Sequence, residues 1–390
     1  MPETIPQKDS PSHKNQPHIM LLAGETSGDA HAAAVVDELK ILQSDIYYSG
    51  MGGKEMRNAG VDIFLDNASI AVMGIVEVLR RWGDIKKALE QVKHQIEVTR
   101  PDLLVLIDYP EFNLKIARHA KSLGIKVLFY ISPKVWASRP KRIVKIGESI
   151  DHMAVIFKFE TKIYQQANIP VTFVGNPLVD KVKISDQSAQ IKQSLQNEHQ
   201  GRIIGLFPGS RKSEISRLIP VMLETAKQML TQDNTLSFVM PVAANLDIET
   251  IRQQCAAANI DITLTQDNLY DVIHSCDAIV SCSGTVTLEI ALLEVPLLVI
   301  YQLSWLSYQI MSRLITIEHI SLVNIIAQKE VVKEYLQQAA NPVAISKELF
   351  QLLDNKEYRA RMKNDLIQVK QNLGQGQGSK RMAELVQTFI

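Results

Sequence analysis

This chain predicts an α/β architecture of two doubly wound parallel-sheet domains, and three observations carry that expectation. The first is a unit that recurs at His18–Asp29, Arg202–Glu214 and Asp277–Gln302: a short apolar strand, a turn bearing Gly and Ser, then a helical pattern. Strand, turn, helix and strand make a βαβ unit, whose sheet is parallel and covered on both faces. The second is the alternation of short apolar runs with amphipathic stretches over roughly the first 175 residues, a typical domain size. The third is length, because 390 residues exceed what one compact core holds.

Composition narrows the function classes. Hydrophobic residues make up 46% and charged residues 22%, ordinary for a soluble globular protein. Lys+Arg and Asp+Glu both number 42, so no global field points to nucleic acid and any charged ligand needs a local constellation. Cys255, Cys276 and Cys282 form no CxxC or Cys/His pattern, which argues against structural zinc and for a reducing compartment. Residues Met1 to Pro17 are polar and proline-bearing, and are expected to be a disordered tail rather than a signal peptide. No run approaches the roughly 20 apolar residues of a membrane span, so a cytoplasmic location is expected.

In chain order, the strand His18–Leu22 runs into Ala23-Gly24-Glu25-Thr26-Ser27-Gly28-Asp29, with a helix from about Ala30 to Leu42. This turn is not GxGxxG, so a dinucleotide site is disfavoured. Glu25 and Ser27 nevertheless sit at a strand's C-terminal end, where open α/β sheets bind ligands; a simple capped turn is the alternative. Further strands are expected at Ile46–Tyr48, Val61–Phe64, Leu103–Ile107, Val127–Tyr130, Met153–Ile156 and Val171–Val174. Between them Ser69–Trp82 carries surplus apolar residues, Val72, Met73, Val76, Leu79 and Trp82 among them, with Arg80, Arg81, Lys86 and Lys87 alongside. Such a helix can lie in a lipid interface, or be a core helix with a solvated end.

Asp108 ends the strand Leu103–Ile107 ahead of Tyr109-Pro110-Glu111, and Pro110 is expected to stop the strand. A carboxylate at that tip faces the ligand crevice; capping a helix that begins near Asn113 is the other reading. Beyond the next strand come Ser132–Arg139 and a basic helix with Arg139, Lys141, Arg142 and Lys145. That face suits a phosphate or lipid headgroup, although solvated basic faces are common. Gly175–Leu178 and the polar Ser185–Gln200 mark a domain boundary.

The second half restarts at Arg202–Phe207, followed by Pro208-Gly209-Ser210-Arg211 and a helix to about Leu230. Gly209 permits a sharp turn, Ser210 and the backbone can donate to a phosphate, and Arg211 supplies a bidentate fork. Asp277–Val280 reads as a strand, Ser281–Thr285 as a turn, Val286–Leu293 as a helix and Pro296–Tyr301 as a strand. Ser283, Gly284 and Thr285 would then offer free N–H groups to an anion, and Glu289 could accept the hydroxyls of a ribose. An ordinary N-cap with a first-turn glutamate is the competing account. Two anion-binding turns in one doubly wound domain favour a nucleotide diphosphate. After Gln302 the chain reads as mostly helical, at Ser304–Ile315 and from Glu330 to the end, with a glycine-rich hinge at Gln371–Gly378.

Seven motifs then occur in order: AGETSGD (23–29), AVMGIVEVL (71–79), LIDYPEFN (106–113), SPKVWASR (132–139), FPGSRKSEI (207–215), SGTVTLE (283–289) and SLVNIIA (321–327). Together they resemble the lipid-A-disaccharide synthases, glycosyltransferase family 19, over nearly everything from His18 to about Leu385. The resemblance implies a GT-B fold, two Rossmann-like domains across a cleft with the last helix crossing back. It places acceptor and membrane at residues 18–180, UDP at 200–370, and the hinge and crossing helix at 371–390. The implied reaction joins UDP-2,3-diacylglucosamine to 2,3-diacylglucosamine 1-phosphate, giving the β-1,6 disaccharide 1-phosphate and UDP. It inverts the anomeric centre and uses no metal or other cofactor. The implied setting is the inner-leaflet membrane surface, with a homodimer left open and no nucleic acid partner.

Carried over by position, Asp108 matches the family's essential aspartate, and Glu25 and Ser27 the loop over the donor. Arg211 and Glu214 match the nucleotide loop, Glu289 the carboxylate of the SGT helix, and Asn324 the asparagine of the SLPN motif. The chain departs from the pattern at Val323 (usually Pro), Lys134 (Ser), Ser138 (Trp) and Ala32 (often Gly). Val323 bears on the placement of Asn324. Two rivals stand beside this reading. One is another GT-B enzyme on UDP-GlcNAc, either a 2-epimerase or a peptidoglycan-precursor transferase; the other is a non-catalytic nucleotide-sugar-binding membrane adaptor.

Overall fold

The computed structural model describes residues 16–69, 82–137, 142–196, 201–303 and 318–390. Seven strands form the first sheet: β1 (His18–Ala23), β2 (Tyr47–Gly52), β3 (Asp62–Asp66), β4 (Leu103–Ile107), β5 (Lys126–Tyr130), β6 (His152–Val155) and β7 (Val171–Phe173). Six more form the second: β8 (Ile203–Phe207), β9 (Ser237–Pro241), β10 (Thr263–Thr265), β11 (Ala278–Cys282), β12 (Leu297–Tyr301) and β13 (Glu334–Leu336). The orders are β3-β2-β1-β4-β5-β6-β7 and β10-β9-β8-β11-β12-β13. Every pairing is parallel. Both are the doubly wound order in which the strand sequence reverses, between β1 and β4 and between β8 and β11. Central strands such as β1, β4, β8 and β11 are buried throughout, as sheets covered by helices on both faces require.

Several boundaries differ from the sequence reading. The first helix is Thr26–Leu42, beginning within the glycine turn. Another runs Pro110–Ser122, so Pro110 starts a helix rather than merely ending a strand, using its fixed φ where no N–H is needed. Ser281 and Cys282 complete β11 instead of joining the turn. Helix was expected across Glu330–Leu336, yet Glu334–Leu336 pairs with β12 as an edge strand. Strands β9 and β10 and the helix Leu322–Ala327 were not foreseen. The polar stretch after Ser185 includes a helix, Ser188–Leu195, whose Leu195 packs into the second-sheet core. The expected tail up to residue 15, the segment with Val72, Met73, Val76 and Leu79, Arg139, and the expected helix Ser304–Ile315 lie outside the described residues.

The last helix, Gly378–Gln387, returns to the first sheet. Met382, Ala383 and Val386 share one apolar cluster with Ile19, Leu21 and Val36. Its N-terminal N–H groups at Gln377 and Gly378 donate to the Asp180 carboxylate at 2.7 and 3.1 Å, and Arg381 Nε donates to the Val174 carbonyl at 2.8 Å. The two chain crossings between the sheets are thus fastened to each other.

Candidate active site

The first switch point brings Glu25 and Asp108 together. Ala23 and Ile107 are register partners at the ends of β1 and β4, so the turn after Ala23 lies beside Asp108. Asp108 and Tyr109 both adopt φ 46°, a left-handed conformation costing L-residues about 1–2 kcal/mol each. The surroundings over-determine it. Asp108 N–H donates to the Tyr130 carbonyl at 2.9 Å, and its own carbonyl accepts from Asn113 Nδ2 at 2.8 Å. The same amide reaches the Ile107 and Leu22 carbonyls at 3.3 and 3.5 Å, latching both strand tips. Tyr109's ring lies where a side chain on Gly24 would go, which explains glycine there.

The result is a half-buried carboxylate in an electronegative corner. Burial first, then the Glu25 carboxylate, raises Asp108's pKa above the usual Asp value, while the Tyr109 N–H and the Lys134 charge oppose the rise. Glu25 and Ser27 are exposed at the opening of the Thr26 helix, which has no side-chain cap. Asp29 by contrast is structural, accepting from the N–H groups of Gly53, Glu55 and Met56.

The second switch point assembles the other turns. Phe207 and Ser281 are register partners, so the loops after β8 and β11 adjoin. Gly209 takes φ 102°, and a side chain there would meet Glu214 and Cys282. Ser210 and Arg211 are exposed, and Arg211 Nη1 donates to Glu214 Oε1 at 2.9 Å. Ser283's hydroxyl is committed to the Ile320 carbonyl at 3.0 Å, so toward a ligand it offers its backbone; Gly284 has open space above it. Glu289 is half-buried, and burial raises its pKa against the Lys181 charge and the Tyr270 hydroxyl, which donates to it at 3.4 Å.

Side-chain caps are absent at these two turns, as they also are at Ser188–Leu195 and Pro110–Ser122. The helices Lys212–Leu230 and Val286–Leu292 have no side-chain cap, and both open at the switch point. Five other helices of the second half are capped by Asp247, Asn268, Ser321, Asn341 and Asn355. N–H groups left free at a crevice are what an anion needs, and a side-chain cap would compete for them.

Other expected site residues fall elsewhere. Asn324 is fully buried with its hydrogen-bonding capacity used: Oδ1 accepts from Val331 and Val332 N–H at 2.7 and 3.0 Å, and Nδ2 donates to Val332 O and Glu334. It clasps β13 to its helix and has no group left for a donor sugar, which corrects the positioning role expected of it. Val323 N–H donates to Ser321 Oγ at 3.1 Å, a capping bond that a proline in its place could not make. Arg142 is paired with Glu111 at 2.7 Å, while Lys145 is exposed on the same short helix, Arg142–Gly147. Trp82 begins the helix Trp82–Thr99.

Sequence reasoning missed Asn113 as a latch, Lys134 as the cation felt by Asp108, and Lys181, whose charge reaches both Glu289 and His31. Asn113 and Lys134 lay within quoted motifs, but their partners come from other strands.

Residues 19–389 match the family described as lipid-A-disaccharide synthetase. The chain belongs to the lipid-A-disaccharide synthase family. It is therefore grouped with glycosyltransferases of the hexosyl class. A lipid-A-disaccharide synthase of Geobacter sulfurreducens is 45% identical over 368 residues, covering 94% of this chain and 96% of that one. One from Coxiella burnetii (strain Dugway 5J108-111) is 42% identical over 372 residues, covering 95% and 98%. Among solved structures, a UDP-GlcNAc 2-epimerase from Neisseria meningitidis bound to UDP-GlcNAc aligns with TM-score 0.64 at 15% identity, covering 95% of this chain and all of that one. MurG of Acinetobacter baumannii aligns with TM-score 0.57 at 15% identity, covering 95% and 99%. At that identity the likeness speaks to fold, and the fold is GT-B.

Proposed function

We propose that this chain condenses UDP-2,3-diacylglucosamine with 2,3-diacylglucosamine 1-phosphate, giving the β-1,6 disaccharide 1-phosphate and UDP. One observation carries the reading. A strained, half-buried Asp108 stands at one switch point, and uncapped helix N-termini with Arg211 stand at the other. Family membership and the GT-B fold agree with it. Residues 18–180 would hold the acceptor and residues 200–370 the UDP.

In this mechanism Asp108 takes the proton of the acceptor O6 as that oxygen bonds to the donor's anomeric carbon. The bond from that carbon to the UDP oxygen breaks, and UDP leaves from the opposite face, so the centre inverts. The backbone N–H groups of Gly209 to Arg211 and Ser283 to Thr285, with the Arg211 guanidinium, stabilise charge developing on the diphosphate. Glu289 accepts from the ribose, and Glu25 with Ser27 positions the donor sugar. No metal or other cofactor has a step in this scheme.

The substrates are lipids, so the chain would work at the inner-leaflet surface, with Val72, Met73, Val76, Leu79 and Trp82 as contacts. Among the described residues no helix is long and apolar enough to cross a membrane. The test is to incubate the purified protein with both acylated sugars and follow products by mass spectrometry. Disaccharide 1-phosphate and UDP in equal amounts are expected. Turnover of UDP-GlcNAc without an acylated acceptor, and no disaccharide, would replace this reading with the epimerase one.

A further inference from the structure

We infer that Lys134 is the residue that grips the anomeric phosphate of the acceptor sugar while Asp108 addresses its primary hydroxyl. This rests on the reaction proposed above and goes beyond it, since the phosphate has so far had only the Arg139, Arg142 and Lys145 helix as an expected host. Among the described residues of that face, the Arg142 guanidinium is already held by Glu111 at 2.7 Å.

Lys134 is different. Its backbone belongs to a fixed turn: Ser132 Oγ and Tyr164 Oη lie 2.7 Å apart, Val135 is buried, and Ala137 N–H donates to the Lys134 carbonyl at 3.1 Å. Trp136 Nε1 donates to Glu160 Oε1 at 3.1 Å, pinning the turn against the helix Glu160–Gln166. The Lys134 side chain alone is exposed, and it makes no ion pair among the described residues. A lysine on a rigid base is a movable point charge with three donors, suited to a phosphate.

Its placement supplies the second argument. The Lys134 charge is felt at Asp108 and at Glu160, yet it is bonded to neither. Ile107 and Tyr130 are register partners and the Asp108 N–H donates to the Tyr130 carbonyl at 2.9 Å, so the turn that follows β5 and carries Lys134 adjoins the Asp108 tip. A pyranose carries its primary hydroxyl and its anomeric oxygen on the two carbons that flank the ring oxygen, so a sugar whose primary hydroxyl meets Asp108 brings its anomeric phosphate within reach of a side chain on the adjoining turn. Electrostatics also demands a cation here. Asp108 and Glu25 would repel a phosphate dianion, and Glu160 is occupied by Trp136 and the Phe157 N–H. Among the described residues, Lys134 is the cation whose charge reaches Asp108.

The experiment compares the parent with Lys134→Met and Lys134→Arg, using the acceptor with and without its 1-phosphate, the latter as substrate or as competitive inhibitor. For Lys134→Met the KM of the phosphorylated acceptor should rise roughly tenfold or more, the scale of one charge-assisted contact. The donor KM and the affinity for the dephosphorylated sugar should match the parent, and Lys134→Arg should recover most of the loss. An unchanged KM for the phosphorylated acceptor would overturn the assignment. So would an equal penalty on both acceptors, which would mean the charge acts on Asp108 rather than on phosphate. A parent that forms no disaccharide at all overturns the underlying reaction, and this assignment with it.

Discussion

The two switch points are built to the same topology and finished in opposite ways. At β1 and β4 the proposed base is fixed before any ligand arrives. Asp108 and Tyr109 are held left-handed, the Asn113 amide grips three carbonyls, and burial raises the Asp108 pKa. At β8 and β11 little is fixed beyond the backbone. Arg211 is exposed and rests on Glu214, its first-turn partner, and the helix N-termini are uncapped. A base must be aligned within fractions of an ångström and desolvated, so strain there would serve the proposed chemistry. A diphosphate carries its own charge and can draw a mobile guanidinium and free N–H groups around itself.

This contrast can be broken, and the largest effect is expected at Asp108. Asp108→Asn removes the proposed base without changing its shape, and turnover should fall by about 10²–10⁴, the usual worth of general-base catalysis. Retention of more than a tenth of parental kcat would move the base to Glu25. Next comes Asn113→Ala, which removes a fully buried side chain and frees the strained turn. A fall in kcat of roughly tenfold to hundredfold is expected, with UDP affinity unaltered; parental kcat would show that the latch does not align Asp108.

Arg211→Ala should weaken UDP binding at least about tenfold, matching the roughly 1.5–3 kcal/mol of a charge-assisted bond, with its main effect on KM for the donor. Smaller again is a stability effect. Burial raises Glu160 to about 7 from its usual 4.5, so its contribution to stability is full below pH 4.5 and is lost as pH rises through about 7. Melting temperature of the parent should therefore decline over that window more steeply than that of Glu160→Gln. Identical slopes would contradict the burial account. The smallest expected effect is none: EDTA should leave turnover intact, because in the proposed mechanism Arg211 and the helix N-termini serve the leaving diphosphate. Loss of activity restored by Mg²⁺ would put a metal into the scheme.

Much of this was legible because it is local. A strand tip followed by Gly-Ser-Arg or Ser-Gly-Thr announces itself within a few residues, and so does a carboxylate directly after an apolar run. What escaped depends on neighbours brought in by the sheet. Asn113 meets Leu22 only because β1 and β4 pair, and the Lys134 turn adjoins Asp108 only because β5 pairs with β4. Asn324 shows the reverse error. Its motif suggested a ligand contact, but its partners are Val331 to Glu334, which no short motif reveals. The three-residue strand Glu334–Leu336 was missed because it is too short to display an alternating period.

The central claim is that chemistry and nucleotide grip are divided between the halves, and UDP calorimetry on Asp108→Asn and Arg211→Ala side by side tests it most directly. Parental UDP affinity in the first variant, and affinity at least about tenfold weaker in the second, are expected. Weakened binding in Asp108→Asn together with parental binding in Arg211→Ala would contradict it.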